Sequence, residues 1–248
     1  MKNDELIRDL RRAIKAAAAG DQPVPERRYH RGDDYLSYGL RMPVFRAIMK
    51  EFRPRFLAMS LDDRLETAEA LLAEHVGEMG YSGIHILSLS VDELDPGHFD
   101  YLDRIVDHFR GWSDVDYFCI DVMQPLLWRY PQESIALHEA WARDDNQWRR
   151  RSSVVTFTRK VGESGQFTDQ VLALCDRLIW DPEDLVQKGV GWALKDNLRG
   201  DHNQVLAYVK DLRRQGVPST ITLYAIRDLK GEERQAVLAI KKQKQAGR

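Results

Sequence analysis

The sequence predicts an all-α protein, and three observations carry that prediction. Nearly every segment longer than ten residues repeats its apolar residues with the 3.6-residue period of a helix buried on one side. No stretch sustains the period-two alternation and β-branched enrichment of a strand. Short breaks, at Gly111, Gly162 to Gly165 and Gly200, separate the periodic segments.

In chain order the spacing predicts helices near 4–19, 43–53, 61–77, 80–91, 97–110, 114–129, 132–143, 147–161, 167–178, 183–198, 202–214, 219–229 and 231–243. Asp181-Pro182 reads as an N-cap followed by proline at the first helical position. Ser113 with Asp116 three residues later resembles a capping box, and Pro131 opens another helix. Helix pairs span about 30 to 40 residues, the length of HEAT-like repeats. Short connections favour antiparallel neighbours. The expected architecture is a curved solenoid of stacked antiparallel helix pairs, one repeat domain over 1–248 with a concave surface. Segment 20–34 and the basic tail 241–248 read as loosely ordered.

With 43% hydrophobic and 31% charged residues, the composition is that of a folded chain rather than a disordered one. No run approaches the roughly 18 apolar residues of a membrane span. The opening MKNDELIRDLRR lacks the apolar core of a secretory signal, so a cytoplasmic protein is expected. Cys119 and Cys175, in apolar helical surroundings without metal-ligand spacing, read as buried free thiols. The net charge is −2, from 37 Lys and Arg against 39 Asp and Glu, so any nucleic-acid contact must use a local basic surface. There is no G-x-S-x-G, P-loop or H-E-x-x-H, and the seven histidines are scattered singly.

Three constellations stand out. On the helix from about 184 to 199, Val186, Val190, Ala193 and Leu194 form the core stripe. Lys188, Trp192, Lys195 and Arg199 fall within an arc of roughly 60° on the opposite side. A tryptophan among cations, away from the core, suits an anionic, flat partner: cations for phosphates, indole for a base. The alternative is that Trp192 packs against the next helix pair. The second constellation is Arg110-Gly111-Trp112-Ser113-Asp114-Val115-Asp116. Here Asp116 reads either as a helix-capping carboxylate or as a chemical group, and Trp112 as a core or staple residue or as a site aromatic. The third is Trp148-Arg149-Arg150-Arg151, where cations at a helix start oppose the helix dipole and a phosphate would relieve the conflict.

In this order and spacing, four segments resemble the DNA alkylation repair glycosylases of the AlkD type. They are Tyr38-Gly39-Leu40-Arg41-Met42-Pro43, Trp112 with Asp116, Asp145-Asn146-Gln147-Trp148-Arg149-Arg150-Arg151, and Gln187-Lys188-Gly189-Val190-Gly191-Trp192-Ala193-Leu194-Lys195. The last, Q-K-x-x-G-W-x-L followed by Arg or Lys, is the most specific. The likeness spans roughly residues 25 to 230. The chain departs from the pattern at Thr222-Leu223-Tyr224-Ala225, which lacks a charge pair, and at 28–38, which carries a short insertion.

The resemblance implies a HEAT-like stack around double-stranded DNA carrying alkylated purines. It implies a monomer acting at the bacterial nucleoid, with no cofactor and no metal. It assigns Trp112, Trp192 and Asp116 to excision, and Arg151 and Lys195 to DNA contact. Lys188, Arg199, Arg150 and Trp148 complete the expected DNA face. The implied reaction is hydrolysis of the glycosidic bond of purines alkylated at N7 or N3, with the base left in the duplex rather than flipped into a pocket. Two other readings compete: a HEAT-like protein gripping bent or branched DNA without excision, and a protein-interaction scaffold.

Overall fold

The computed structural model describes residues 3–28, 30 and 35–241. The loose order expected at 20–34 and 241–248 therefore falls in part, at 29, 31–34 and 242–248, outside the described residues. Among the described residues the secondary structure is helical apart from one small hairpin, in agreement with the all-α expectation. The chain divides into two compact units, Met1–Tyr130 and Pro131–Arg248.

The first unit opens with α1 (Asp4–Ala17), which buries Leu6, Ile7, Leu10 and Ile14 at helical spacing. Strands β1 (Val24–Pro25) and β2 (Leu36–Ser37) then pair antiparallel, Val24 opposite Ser37 and Pro25 opposite Leu36. Two residues per strand are too few to show alternation, so the sequence gives no strand signal here. Helix α2 (Met42–Leu57) carries Pro43 in its first turn, where a missing N–H costs nothing. Helix α3 (Leu61–Leu72) starts on Ser60, whose Oγ accepts the Asp63 N–H at 3.2 Å. It ends five residues earlier than the spacing predicts, and His75, at φ 55°, turns the chain into α4 (Gly77–Ser90). The predicted helix at 97–110 is a short α5 (Phe99–Ile105) between two 3₁₀ turns. The predicted helix at 114–129 is α6 (Trp112–Phe118), a π-helical turn at Cys119–Met123, and α7 (Gln124–Arg129). Pro125 lacks the N–H that regular α-helix would require, and the widened turn before it accommodates the loss.

The second unit is built around one helix. It contains α8 (Pro131–Trp141), α9 (Gln147–Val155), α10 (Arg159–Glu163), α11 (Thr168–Leu178), α12 (Asp184–Gly200), α13 (His202–Gln215), α14 (Ser219–Ala225) and α15 (Gly231–Leu238). Helix α12 packs against α9, α10, α11, α13 and α14. Gly191 allows a close approach to α14, because a Cβ there would lie 2.7 Å from Tyr224 Cβ and 2.9 Å from the Ile221 carbonyl.

Two further expectations need correction. The single helix predicted at 147–161 is broken, because α12 supplies partners to the break. Asn197 Nδ2 donates to the Phe157 carbonyl at 2.9 Å, and Asp196 accepts the Arg159 N–H at 2.7 Å. Asp181 is not the N-cap of the following helix, which begins at Asp184. Its carboxylate instead grips Arg150 at 2.6 Å and accepts the Glu183 N–H at 2.9 Å. Cys119 and Cys175 are buried and form no disulfide, as expected. Among the described residues no helix is long and apolar enough to cross a membrane.

Candidate functional site

In the first unit the site is organised by the start of α6. Gly111 is its N-cap, and the Asp114 carboxylate accepts the N–H groups of Arg110 at 3.0 Å and Gly111 at 3.1 Å. The capping carboxylate is therefore Asp114, not Asp116, and the Ser113–Asp116 capping box read from the sequence does not form. Ser113 Oγ instead lies 3.1 Å from His30 Nε2 and donates to the Tyr35 hydroxyl at 3.2 Å. Burial pushes the Asp114 carboxyl up to about 6, against the pull of its two backbone donors.

Asp116 is thereby separated from the capping role. It lies one turn beyond Trp112 on the same helix face, and both are partly exposed. Burial pushes the neighbouring Tyr81 phenol up to about 12, and the Asp116 charge acts in the same direction.

Trp112 rests on an aromatic stack. His30 lies over Tyr35 with centroids 3.7 Å apart and planes 7° from parallel. Trp112 continues the stack on His30 at 5.3 Å and 16°. Only glycine fits at 111, since a Cβ there would stand 2.5 Å from His30 and 2.6 Å from Tyr35. Burial lowers the His30 pKa, so the ring between Trp112 and Tyr35 is uncharged at neutral pH. His30 and Tyr35 also form one wall of a cleft of about 470 Å³, whose other sides include Leu40, Arg41, Phe45 and Tyr81. Trp112 and Asp116 are not among its lining residues.

In the second unit the expected basic face of α12 is not a solvent face. Its neighbours cover more than the predicted stripe, so Lys195 is buried, with Asp196 at 2.8 Å and Asp228 at 3.7 Å from its ammonium. Lys188 is partly exposed and pairs with Asp184 at 2.6 Å, one turn back. Arg199 is exposed and bridges Glu163 and Asp228. Trp192 is partly buried, and the Arg159 guanidinium lies over its ring, 5.7 Å from the centroid.

Helix α9 carries the other expected DNA residues. Asn146 caps it by accepting the Trp148 N–H at 2.8 Å, and Trp148 is partly exposed. Arg150 pairs with Asp181 and donates to the carbonyls of Asp144 at 3.0 Å and Asp145 at 2.7 Å. Arg149 pairs with Asp144 at 3.3 Å. The protein's own carboxylates and carbonyls thus offset the cations that the sequence left opposing the helix dipole. Arg151 is buried and donates to the Leu185 carbonyl in the first turn of α12.

The structure thus brings Trp112 and Asp116 together in the first unit. It gathers Trp148, Arg150, Arg151, Lys188, Trp192, Lys195 and Arg199 on two packed helices of the second. Two neighbours of these residues went unseen in the sequence. His30 is 82 positions from Trp112, and Arg159, which lies over Trp192, stands at the break in the predicted helix.

A solved structure described as a predicted DNA alkylation repair enzyme from Enterococcus faecalis is similar to this chain. The TM-score is 0.67 at 14% identity, with 79% of this chain and 89% of that one covered, a likeness of fold. No curated protein matches the chain. A family model described as DNA alkylation repair enzyme matches residues 10–229. With that match spanning most of its length, the chain belongs to the DNA alkylation repair enzyme family.

Proposed function

We propose that this protein is a DNA glycosylase of the AlkD type, built on HEAT-like repeats, that hydrolyses the glycosidic bond of N7- or N3-alkylated purines in duplex DNA. One observation carries the reading. Asp116 stands one turn from Trp112 on the same partly exposed face, while Asp114 does the capping. A carboxylate not needed for helix capping, beside an indole, suits a reaction whose transition state is cationic.

Alkylation at N7 or N3 gives the base a positive charge and weakens its bond to C1′. That bond breaks with its electron pair passing to the base, which leaves neutral. The sugar is left as an oxocarbenium-like cation. Asp116 stabilises this cation by its charge and orients a water. The water oxygen bonds to C1′, and its proton passes to the carboxylate or to solvent. The Trp112 π-face interacts with the cationic nucleotide. Its other neighbour, His30, is uncharged and does not compete for that role. The resemblance assigns Trp192 the same task. Lys188 and Arg199 would contact the DNA backbone, with Trp148 beside them and Arg150 holding the 144–145 turn and Asp181 in place. Arg151 and Lys195, to which the resemblance assigns the same role, are buried and would have to leave the Leu185 carbonyl and Asp196 to reach a phosphate.

The test is release of free 7-methylguanine from methylated duplex DNA. The wild type is expected to release it. Asp116→Asn should lower the rate by roughly 100-fold to 1000-fold, with affinity for the damaged duplex nearly unchanged. Undiminished release by that variant would remove Asp116 from the chemistry.

A further inference from the structure

Resting on the proposed function, we propose that Arg159 is a specificity residue of the Trp192 face. It holds the indole π-face while no cationic base is present, and it moves to a backbone phosphate when such a base takes its place.

The geometry of Arg159 is imposed on it. Its backbone is left-handed, at φ 51°, a conformation unfavourable for a residue with a side chain. Asp196, almost fully buried on α12 one turn beyond Trp192, accepts the Arg159 N–H at 2.7 Å. Asn197, the next residue, holds the Phe157 carbonyl at 2.9 Å. The same helix that carries the indole therefore fixes the turn that carries the guanidinium. The result is an exposed arginine over a partly buried tryptophan, 5.7 Å from the ring centroid.

Arg159 also differs in its partners. Lys188, Lys195, Arg199 and Arg150 each sit against a carboxylate, at Asp184, Asp196, Asp228 and Asp181. Among the described residues Arg159 has no such ion pair; its side-chain contact is the indole. Recruiting one of the paired cations to a phosphate means separating an ion pair. Moving Arg159 means only exchanging one weak contact for a phosphate. A cationic purine brings both the stacking of any base and a positive charge to replace that of the guanidinium, whereas an uncharged purine brings stacking alone and leaves the cation–π contact unreplaced. The phosphate contact of Arg159 is thus made only when the base is charged.

The experiment measures duplex affinity against salt. The probes are an unmodified duplex and the same duplex carrying a cleavage-resistant 2′-fluoro 7-methylguanine nucleotide. Each phosphate contact adds about 0.9 to the slope of log affinity against log salt. Arg159→Gln should lower the slope by about that amount for the cationic duplex and leave it unchanged for the unmodified one. Arg159→Lys should retain the wild-type slopes. Equal loss on both duplexes would make Arg159 an ordinary phosphate contact, and no loss on either would make it surface; both overturn the exchange. Binding needs no turnover, so these slopes are read separately from base release, which alone tests the glycosylase reading.

Discussion

Trp112 lies on an uncharged ring, whereas Trp192 lies under a cation. Beneath Trp112 are His30 and Tyr35, stacked in near-parallel planes, with Ser113 tied to both. Around Trp192 are Arg159, Lys195 and Asp196, a charged cluster in which one buried carboxylate meets an ammonium and a backbone N–H. The first setting orders an indole by packing it on an uncharged ring. The second orders an indole by charge and leaves an exchangeable cation on it. The two aromatics would therefore serve a cationic base differently: Trp112 as a fixed platform, Trp192 as a face that must first be vacated.

The largest test of this contrast is Asp196→Ala. It removes the carboxylate 2.8 Å from the buried Lys195 ammonium and the acceptor of the Arg159 N–H. Removing one partner of a buried ion pair costs about 3–5 kcal/mol, here the upper bound because Asp228 stays 3.7 Å from the ammonium. Urea unfolding should show a loss of that order. A loss under about 1 kcal/mol would mean that the cluster contributes little, on the scale of a surface pair.

The next test uses acid. Asp114 titrates at about 6 in the folded protein against an ordinary value of 3.8. A carboxyl raised on folding stabilises the fold below 3.8, and that stabilisation is lost as the pH rises through 6. The shift corresponds to about 3 kcal/mol. The stability of the wild type relative to Asp114→Asn should therefore fall by about that much between pH 3.8 and 6. A difference that stays flat across this window would mean that burial does not dominate at Asp114.

The contrast also marks what a local reading of sequence can reach. The helical period revealed the fold class, because a helix buried on one side writes its period into adjacent residues. It did not place Trp112 and Asp116 on one face, because it began that helix at 114 and the structure begins it at Trp112. It misplaced the cap, since G-x-x-D at Gly111 and S-x-x-D at Ser113 have the same spacing and only the first forms. It overstated the exposure of Lys195, because α12 is covered from several sides and a single-stripe picture allows only one. It also ran through the break at 155–159, which is held open by Asp196 and Asn197 roughly forty positions away. Arg159 over Trp192 and His30 under Trp112 are both products of long-range contacts, and neither leaves a local pattern.

The smallest effect concerns the platform itself. His30→Phe keeps a flat ring between Tyr35 and Trp112 but loses the contact with Ser113 Oγ. His30→Ala removes the ring altogether. An aromatic pair contributes about 0.5–1.5 kcal/mol beyond its buried area, so His30→Ala should destabilise by about 1 kcal/mol or somewhat more, and His30→Phe by less. The sharper reading is spectroscopic. The Trp112 indole N–H resonance, assigned by its absence in Trp112→Phe, should move in His30→Ala and stay near its wild-type position in His30→Phe. Excision should follow the same order, since a fixed platform needs the ring and not the nitrogen. Were His30→Phe as impaired as His30→Ala, the bond to Ser113 rather than the stack would hold Trp112, and this indole too would owe its place to a polar contact, which would bring the two tryptophans closer in kind.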